Sequence, residues 1–278
     1  MRLHSFIISW AKHHSHAEQI YRQIQSACDK VHVVFSDPSP ESPFLPDIQS
    51  IRRPDNLMFG DKLAACLDAF SGDLFLLIHA DCTCKDWHRV ASLCLDDFCR
   101  FPHIGLWSPL VTNSLPALEF AEIAKLPNSS LSHVANTDCI VIAMRKEGVD
   151  TLRKCDLRSN VHGWWGHVPA LVELIDSGKI AVMNYAIRVS HATGRGYSSE
   201  QAGVEGFYYL KKMPARHQAI WEEMKLYCEH RARSATVIQR LLNRCHRIAV
   251  RYCAGLVSLS VTLRHHAVRG FALWSSGR

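Results

Sequence analysis

Residues 73–86 read Asp-Leu-Phe-Leu-Leu-Ile-His-Ala-Asp-Cys-Thr-Cys-Lys-Asp, and the run Leu74-Phe75-Leu76-Leu77-Ile78 within them sets the strongest limit on the fold. Five consecutive apolar residues that stop at His79-Ala80-Asp81 describe a strand with no solvent face, as in a sheet with parallel partners covered on both sides. In open α/β sheets, ligands bind beyond the carboxyl ends of such strands. Asp81, followed by Thr83, stands at that edge, where oxygen ligands can hold a divalent cation while a substrate phosphate completes its shell. The alternative for Asp81 is a cap on the helix expected over Lys85 to Cys94. Asp86 reads as a helix-start residue.

The chain has 278 residues, 47% of them hydrophobic and 21% charged, enough for one large α/β domain or a domain with an appendage. No apolar run approaches the roughly 18 residues of a membrane span. The start reads as a first strand rather than a cleaved leader, because no A-x-A-like site follows it. Eleven cysteines are an odd number, and their tightest pair, Cys82-x-Cys84, lacks zinc-site spacing. Buried free thiols in a reducing cytosol are the expectation. Charge is uneven: residues 213–278 hold eleven Lys/Arg against three Asp/Glu, whereas residues 1–212 carry a net −2. The basic character belongs to the tail.

Leu3 to Trp10 reads as strand one. Ser15, with Glu18 three residues on, has the form of a capping box for a helix through Ala17, Ile20 and Ile24. Lys30 to Phe35 alternates and stops at Ser36-Asp37-Pro38, a turn signal. Strand, helix and strand joined by a right-handed crossover form the unit of doubly wound sheets. Residues 38–50 are rich in Pro and Ser and read as a surface loop, and Ile48 to Arg52 as a short strand. A helix then runs through Leu63, Cys66, Leu67 and Phe70. Its amino terminus, with Lys62 beside it, suits a diphosphate; the alternative is an ordinary helix start capped by Asp61. Val134 to Ala143 and Lys179 to Val189 read as further strands, and Val168 to Ser177 as a helix. Residues 112–133 give no clear pattern.

A buried strand ending in D-x-D marks the nucleotide-sugar glycosyltransferases of the GT-A fold. The stretch Ile78-His79-Ala80-Asp81-Cys82 resembles that motif with His79 in place of the first Asp. Other stretches resemble the family in the same order, over about residues 3–210. Asp37 follows the second strand, where the family has an acidic residue on the base or ribose; taken alone it reads rather as the start of a turn with Pro38 and Pro40. Asn56, Gly60, Asp61 and Lys62 resemble the loop that lies on the nucleotide-sugar. Ile104 to Pro109 resembles the strand after the metal helix. Gly163-Trp164-Trp165-Gly166-His167 resembles the G-W-G-x-D/E motif, and Val189-Ser190-His191-Ala192-Thr193-Gly194-Arg195-Gly196-Tyr197 the closing stretch.

The resemblance implies an α/β GT-A fold, Rossmann-like, with a mixed central sheet and helices on both faces. It implies transfer of a sugar from a nucleotide-diphospho-sugar to an acceptor hydroxyl, with inversion. The donor would meet Asp37, Asn56, Gly60, Asp61, Lys62, His79, Ala80, Asp81 and Arg195, and Mn²⁺ or Mg²⁺ would sit on Asp81, His79 and His191. Trp164 and Trp165 would bind the acceptor, since indole faces suit sugar rings. His167 stands where the family has its acidic base, and an imidazole can serve at neutral pH; Asp138 and Asp156 are the alternatives. With His79 and His167 both replacing carboxylates, a scaffold that binds without turnover is one rival. A nucleotidyltransferase is another, but Ser9-Trp10-Ala11-Lys12 lacks the Gly-rich phosphate loop it needs.

Residues 213–278 form the second expected region, after a transferase domain over 1–212. Ile220, Met224 and Tyr227 share one helical face. Val237, Ile238, Leu241, Leu242, Cys245, Ile248 and Ala249 make an apolar stripe, with Arg240, Arg244, Arg247 and Arg251 as a basic face. Such a helix suits anionic lipid or, equally, packs on the main domain with its arginines solvated. No RNP, helix-turn-helix or zinc pattern accompanies the charge, so nucleic acid is not an expected partner. The acceptor would then be a glycan or lipid-linked, in lipopolysaccharide or cell-surface assembly, with the protein cytoplasmic or peripheral on the inner membrane's cytoplasmic face.

Overall fold

The structure, a computed structural model, describes residues 1–112, 121–192, 197–234 and 244. The chain forms two compact units, Met1–Glu229 and His230–Arg278. In the second, the described residues 230–234 and 244 are helical and Arg244 is exposed. The apolar stripe of the tail and Arg240, Arg247 and Arg251 lie outside the described residues. Among the described residues, no helix is long and apolar enough to cross a membrane.

The first unit is built on a mixed sheet. Its strands are β1 (Leu3–Ser9), β2 (Lys30–Phe35), β3 (Ser50–Arg52), β4 (Leu74–His79), β5 (Cys82–Thr83), β6 (Ile104–Thr112), β7 (Glu122–Lys125), β8 (Leu131–Val134), β9 (Val141–Arg145) and β10 (Ile180–His191). The order is β3-β2-β1-β4-β9-β6-β10-β8-β7, with β5 pairing β10 off that path. β1 runs parallel to β2 and β4, β9 is antiparallel to β4 and β6, and β6 is parallel to β10.

Helices α1 (His14–Ile24) and α3 (Trp87–Arg100) cover one face; α2 (Phe59–Ala69), α4 (Lys146–Leu152) and α5 (Val168–Asp176) cover the other. The run Leu74–Ile78 shows why both are needed. Leu74, Leu76 and Ile78 enter the core under α1 and α3, while Phe75 and Leu77 enter the core under α2, α4 and α5. All five are fully buried. At about 1.5–3 kcal/mol per large apolar side chain, this strand anchors both layers. Two further helices, α6 (Ser199–Lys211) and α7 (Ala215–Ser234), follow β10. Leu210, Met213 and Trp221 from this segment are buried in the second core.

Several boundaries differ from expectation. Ser15 lies inside α1, whose N-cap is His13 with no side-chain cap, so Ser15 and Glu18 form no capping box. Asp61 sits within the first turn of α2, after Met58 as N-cap, because Arg53 holds its carboxylate. Asp86, not Asp81, caps the next helix, accepting from the Arg89 N–H at 2.9 Å. Val134 to Ala143 is not one strand: β8 ends at Val134, residues 135–140 are irregular, and β9 starts at Val141. The nine described cysteines are free thiols.

Candidate active site

The abrupt end of β4 creates the site. After His79 the chain turns through Ala80 and Asp81 into β5, which pairs antiparallel with the end of β10, His191 opposite Cys82. The turn is pinned twice: the Ala80 N–H donates to the Ile8 carbonyl at 2.9 Å, and His16 Nδ1 lies 2.7 Å from the Ala80 carbonyl oxygen. The short β5–β10 ladder thereby carries His191 to Asp81 across 110 residues of sequence, with Nε2 3.2 Å from Oδ2. Potential ligand atoms of His79, Asp81 and His191 all lie within 4.8 Å of one another.

The electrostatics of this trio are compatible with a cation. Burial pushes the His79 imidazole down to about 4, so it is neutral with a lone pair available. Its Nε2 is buried and has no hydrogen-bond partner among the described residues. Burial alone would raise the Asp81 carboxyl, but the hydrogen bond with His191 and the nearby histidines hold it below the usual carboxylate range. Two imidazoles and one ionised carboxylate can together ligate a divalent first-row metal. One of the two imidazoles, His79, carries the unpartnered ring nitrogen, as a ligand atom does when its partner is a cation, so these residues fit one.

The trio opens into a cavity of about 940 Å³, within the roughly 300–1,000 Å³ typical of small-molecule sites. Trp10 and Phe59 stand beside His79, with ring centroids 5.5 and 4.8 Å from its own. Residues 136–140, including Asp138, form a second wall. A third is the turn with His162, Trp164, Trp165 and His167, and α6 and α7 add Phe207, Leu210, Trp221 and Met224.

The tryptophan turn is strained and braced. Trp165 takes the left-handed conformation at φ +57°, a cost of about 1–3 kcal/mol for a non-glycine residue. Gly163 is also left-handed, at φ +71°, and a Cβ there would lie 1.9 Å from the Phe59 ring. Asn160 Nδ2 donates to the Trp164 carbonyl at 2.8 Å, and the Tyr209 hydroxyl of α6 donates to the Gly166 carbonyl at 3.1 Å. Trp164 Nε1 donates to the Tyr197 hydroxyl at 3.1 Å.

The cavity thus brings together His79, Asp81, His191, Asp138, Trp164, Trp165 and His167. His167 is buried, with Nε2 3.4 Å from Asn136 Oδ1, and burial pushes its imidazole down to about 4. The other described sequence candidates do not line the cavity. Ala80 is fully buried within the turn. Asp37 accepts from the Ser39 N–H at 2.7 Å and pairs with His14 at 2.9 Å; these bonds, the backbone one first, outweigh burial and lower its pKa. Asn56 is exposed ahead of α2. Gly60 packs against the turn after α4, where a Cβ would lie 2.2 Å from the Asn160 carbonyl oxygen. Asp61 takes two hydrogen bonds from Arg53, at 2.6 and 2.9 Å, and Lys62 is fully buried. Asp156 caps the 3₁₀ turn Leu157–Ser159 and pairs with Lys212 at 3.1 Å. Arg195 lies outside the described residues.

Sequence reading did not single out Trp10, His162 or the wall from α6 and α7. His162 lies in the same stretch as the tryptophans, but its partner, Glu205, is 43 residues away, and spacing alone gives no signal for such a pair.

No protein-family model matches the sequence, and neither does any curated protein. Solved structures do resemble it. A mannosyltransferase from Pyrobaculum calidifontis, in complex with GDP-Man and Mn²⁺, matches 90% of this chain and 80% of its own at 14% identity and a TM-score of 0.53. Glucosyl-3-phosphoglycerate synthase from M. tuberculosis matches 77% of this chain and 80% of its own at 13% identity and 0.49. A thymidylyltransferase from Bacillus anthracis matches 77% of this chain and 98% of its own at 12% identity and 0.45. The first of these likenesses, together with a mixed sheet sheathed on both faces, identifies the architecture: the chain has a GT-A fold.

Proposed function

We propose that the protein is a glycosyltransferase that moves a sugar from a nucleotide-diphospho-sugar to an acceptor hydroxyl. The observation that carries this reading is the His79–Asp81–His191 cluster, with its orphaned nitrogen, at the end of β4 in a cavity large enough for such a donor. A divalent cation on this cluster would neutralise charge developing on the leaving nucleoside diphosphate. Neutral His79 and ionised Asp81 are already in the protonation states a cation requires. Trp164 and Trp165 give the sugar and acceptor rings a rigid aromatic surface. An acceptor hydroxyl surrenders its proton to a base on the cavity wall and attacks the anomeric carbon opposite the leaving group, which inverts the centre. The acceptor is a glycan or lipid-linked, with the basic tail on an anionic membrane surface.

The test is a panel of nucleotide-sugars, GDP-Man and UDP-Glc among them, with and without Mn²⁺, on the wild type and Asp81→Ala. One donor raises the melting temperature only with metal, by the equivalent of about 2.7 kcal/mol at a hundred times its Kd. The same donor slowly releases nucleoside diphosphate, and both effects vanish in Asp81→Ala. Binding without release would favour the non-catalytic scaffold. Release of pyrophosphate from a nucleoside triphosphate would favour a nucleotidyltransferase.

A further inference from the structure

The cavity that holds the cluster carries a second polar device. The imidazole of His162 lies with Nδ1 2.9 Å from Glu205 Oε2, and the same oxygen accepts the His162 backbone N–H at 3.1 Å. Gln201 Nε2 donates to the other carboxylate oxygen at 3.1 Å, so Glu205 is held at both ends. Burial would raise the Glu205 carboxyl, but its hydrogen bonds from the His162 ring and backbone keep it below the usual carboxylate range. An ionised carboxylate only accepts, so Nδ1 carries the hydrogen and Nε2 the lone pair. Nε2 has no hydrogen-bond partner among the described residues. The His162 side chain is only 8% exposed, and it lines the cavity. Its ring also packs on Tyr197 at 4.5 Å between centroids, and Tyr197 in turn holds Trp164. One network thus fixes both the imidazole and an aromatic face meant for a sugar.

We propose that His162 is the base that takes the acceptor's proton, with Glu205 as its positioning residue; this rests on the glycosyl-transfer reading above. In the step, the acceptor O–H breaks and its proton passes to Nε2. The oxygen forms a bond to the anomeric carbon, and the carbon–oxygen bond to the diphosphate breaks, its electron pair leaving with the nucleoside diphosphate. Glu205 stabilises the imidazolium that forms, as a carboxylate on Nδ1 does in hydrolytic triads. His167 lacks this arrangement, since it faces the Asn136 amide rather than a carboxylate.

Water serves as the acceptor in the test, with the full chain, Mn²⁺ and the donor found in the nucleotide-sugar panel. His162→Asn retains a donor at the Nδ1 position for Glu205 and removes Nε2. It binds the donor as the wild type does, read by thermal shift, and releases nucleoside diphosphate about 10²–10⁴-fold more slowly. Glu205→Gln binds equally and is slowed less. In His162→Gly, added imidazole restores release, a rescue that a purely structural histidine would not give. Unchanged release by His162→Asn, or absence of imidazole rescue in a folded His162→Gly, overturns the proposal. So does loss of release in Asp138→Asn alone. If the wild type binds no donor, or binds without release, the transferase reading itself fails, a result distinct from any of these.

Discussion

Lys62 is fully buried, its ammonium donating to the Leu57 carbonyl at 2.9 Å and lying 5.7 Å from the centre of the Trp10 ring. Read along the sequence, it belongs to a helix start suited to a diphosphate. In three dimensions that role is contested by partners invisible in the local pattern: Arg53 holds the neighbouring Asp61, and Arg158, 97 residues away, reaches the same carboxylate at 3.3 Å. Burial, only partly offset by Asp61 and Asp55, pushes Lys62 down to about 8 from 10.5. The unfolded chain therefore binds more protons between those values, so the folded state gains stability as pH rises through that window. Below about 8 the full penalty stands, on the order of 3 kcal/mol. Lys62→Met is free of it. Urea midpoints measured near pH 7.5 and pH 10 should show the wild type gaining on Lys62→Met as pH rises, and a constant difference would contradict this. By contrast, the place of His79 and Asp81 at the end of a buried strand is legible locally, because the apolar run Leu74–Ile78 stops there.

At the scale of elements, the site depends on α6 reaching the tryptophan turn. Gly206 makes the closest approach: a Cβ there would sit 2.7 Å from Trp165 Cε3 and 3.0 Å from the Trp164 carbonyl oxygen. The indole is held in a left-handed turn and the carbonyl is backbone, so neither yields cheaply. Gly206→Ala should therefore destabilise by about 1–3 kcal/mol through overpacking, and slow nucleoside diphosphate release by displacing Trp165. Gly203 is one turn earlier, where a Cβ would meet only Trp164 Cζ3 at 3.8 Å. There, Gly203→Ala should gain about 0.5–1 kcal/mol of helix propensity. Thermal melts of the two variants check the contrast, and equal shifts would mean that α6 does not bear on the turn. The sequence did hold a signal for this helix that the reading passed over. Ser198 and Gln201 have capping-box spacing, and the Ser198 hydroxyl accepts the Gln201 N–H at 3.3 Å. What spacing could not reveal is where α6 docks, since its contacts with Trp165 and His162 are separated by about forty residues of chain. Residues 134–143 misled in the opposite sense. Their apolar content suits a strand, but the polar run Asn136-Thr137-Asp138 breaks it into β8, a cavity wall and β9.

For the molecule as a whole, composition and cavity divide the chain differently. Charge rises after residue 212, which is where the sequence suggests a boundary. Compactness carries the first unit on to Glu229, and the intervening residues are not an appendage to it. Met213 and Trp221 are buried, 7% and 6% exposed, in the core that includes α2 and α5. The Tyr227 hydroxyl donates to the Glu122 carbonyl at 2.9 Å, and Trp221 and Met224 line the same cavity as His79, Asp81 and His191. Each large apolar side chain removed from such a core forfeits about 1.5–3 kcal/mol of burial, out of a total of only about 5–15 kcal/mol for a typical domain. A chain ending at Lys212 should therefore lose several kcal/mol of stability and its Mn²⁺-dependent stabilisation by donor. A chain ending at Ser234 keeps all of α7 and every contact just named, so it should melt within a few degrees of the full chain and bind the donor as well. Thermal melts of the two truncations with and without donor decide between the boundaries. If the chain ending at Lys212 performs as the longer one does, α7 is dispensable and the composition break marks the working edge of the domain. If only the longer one survives, the basic residues beyond it are free to serve a function other than building the site.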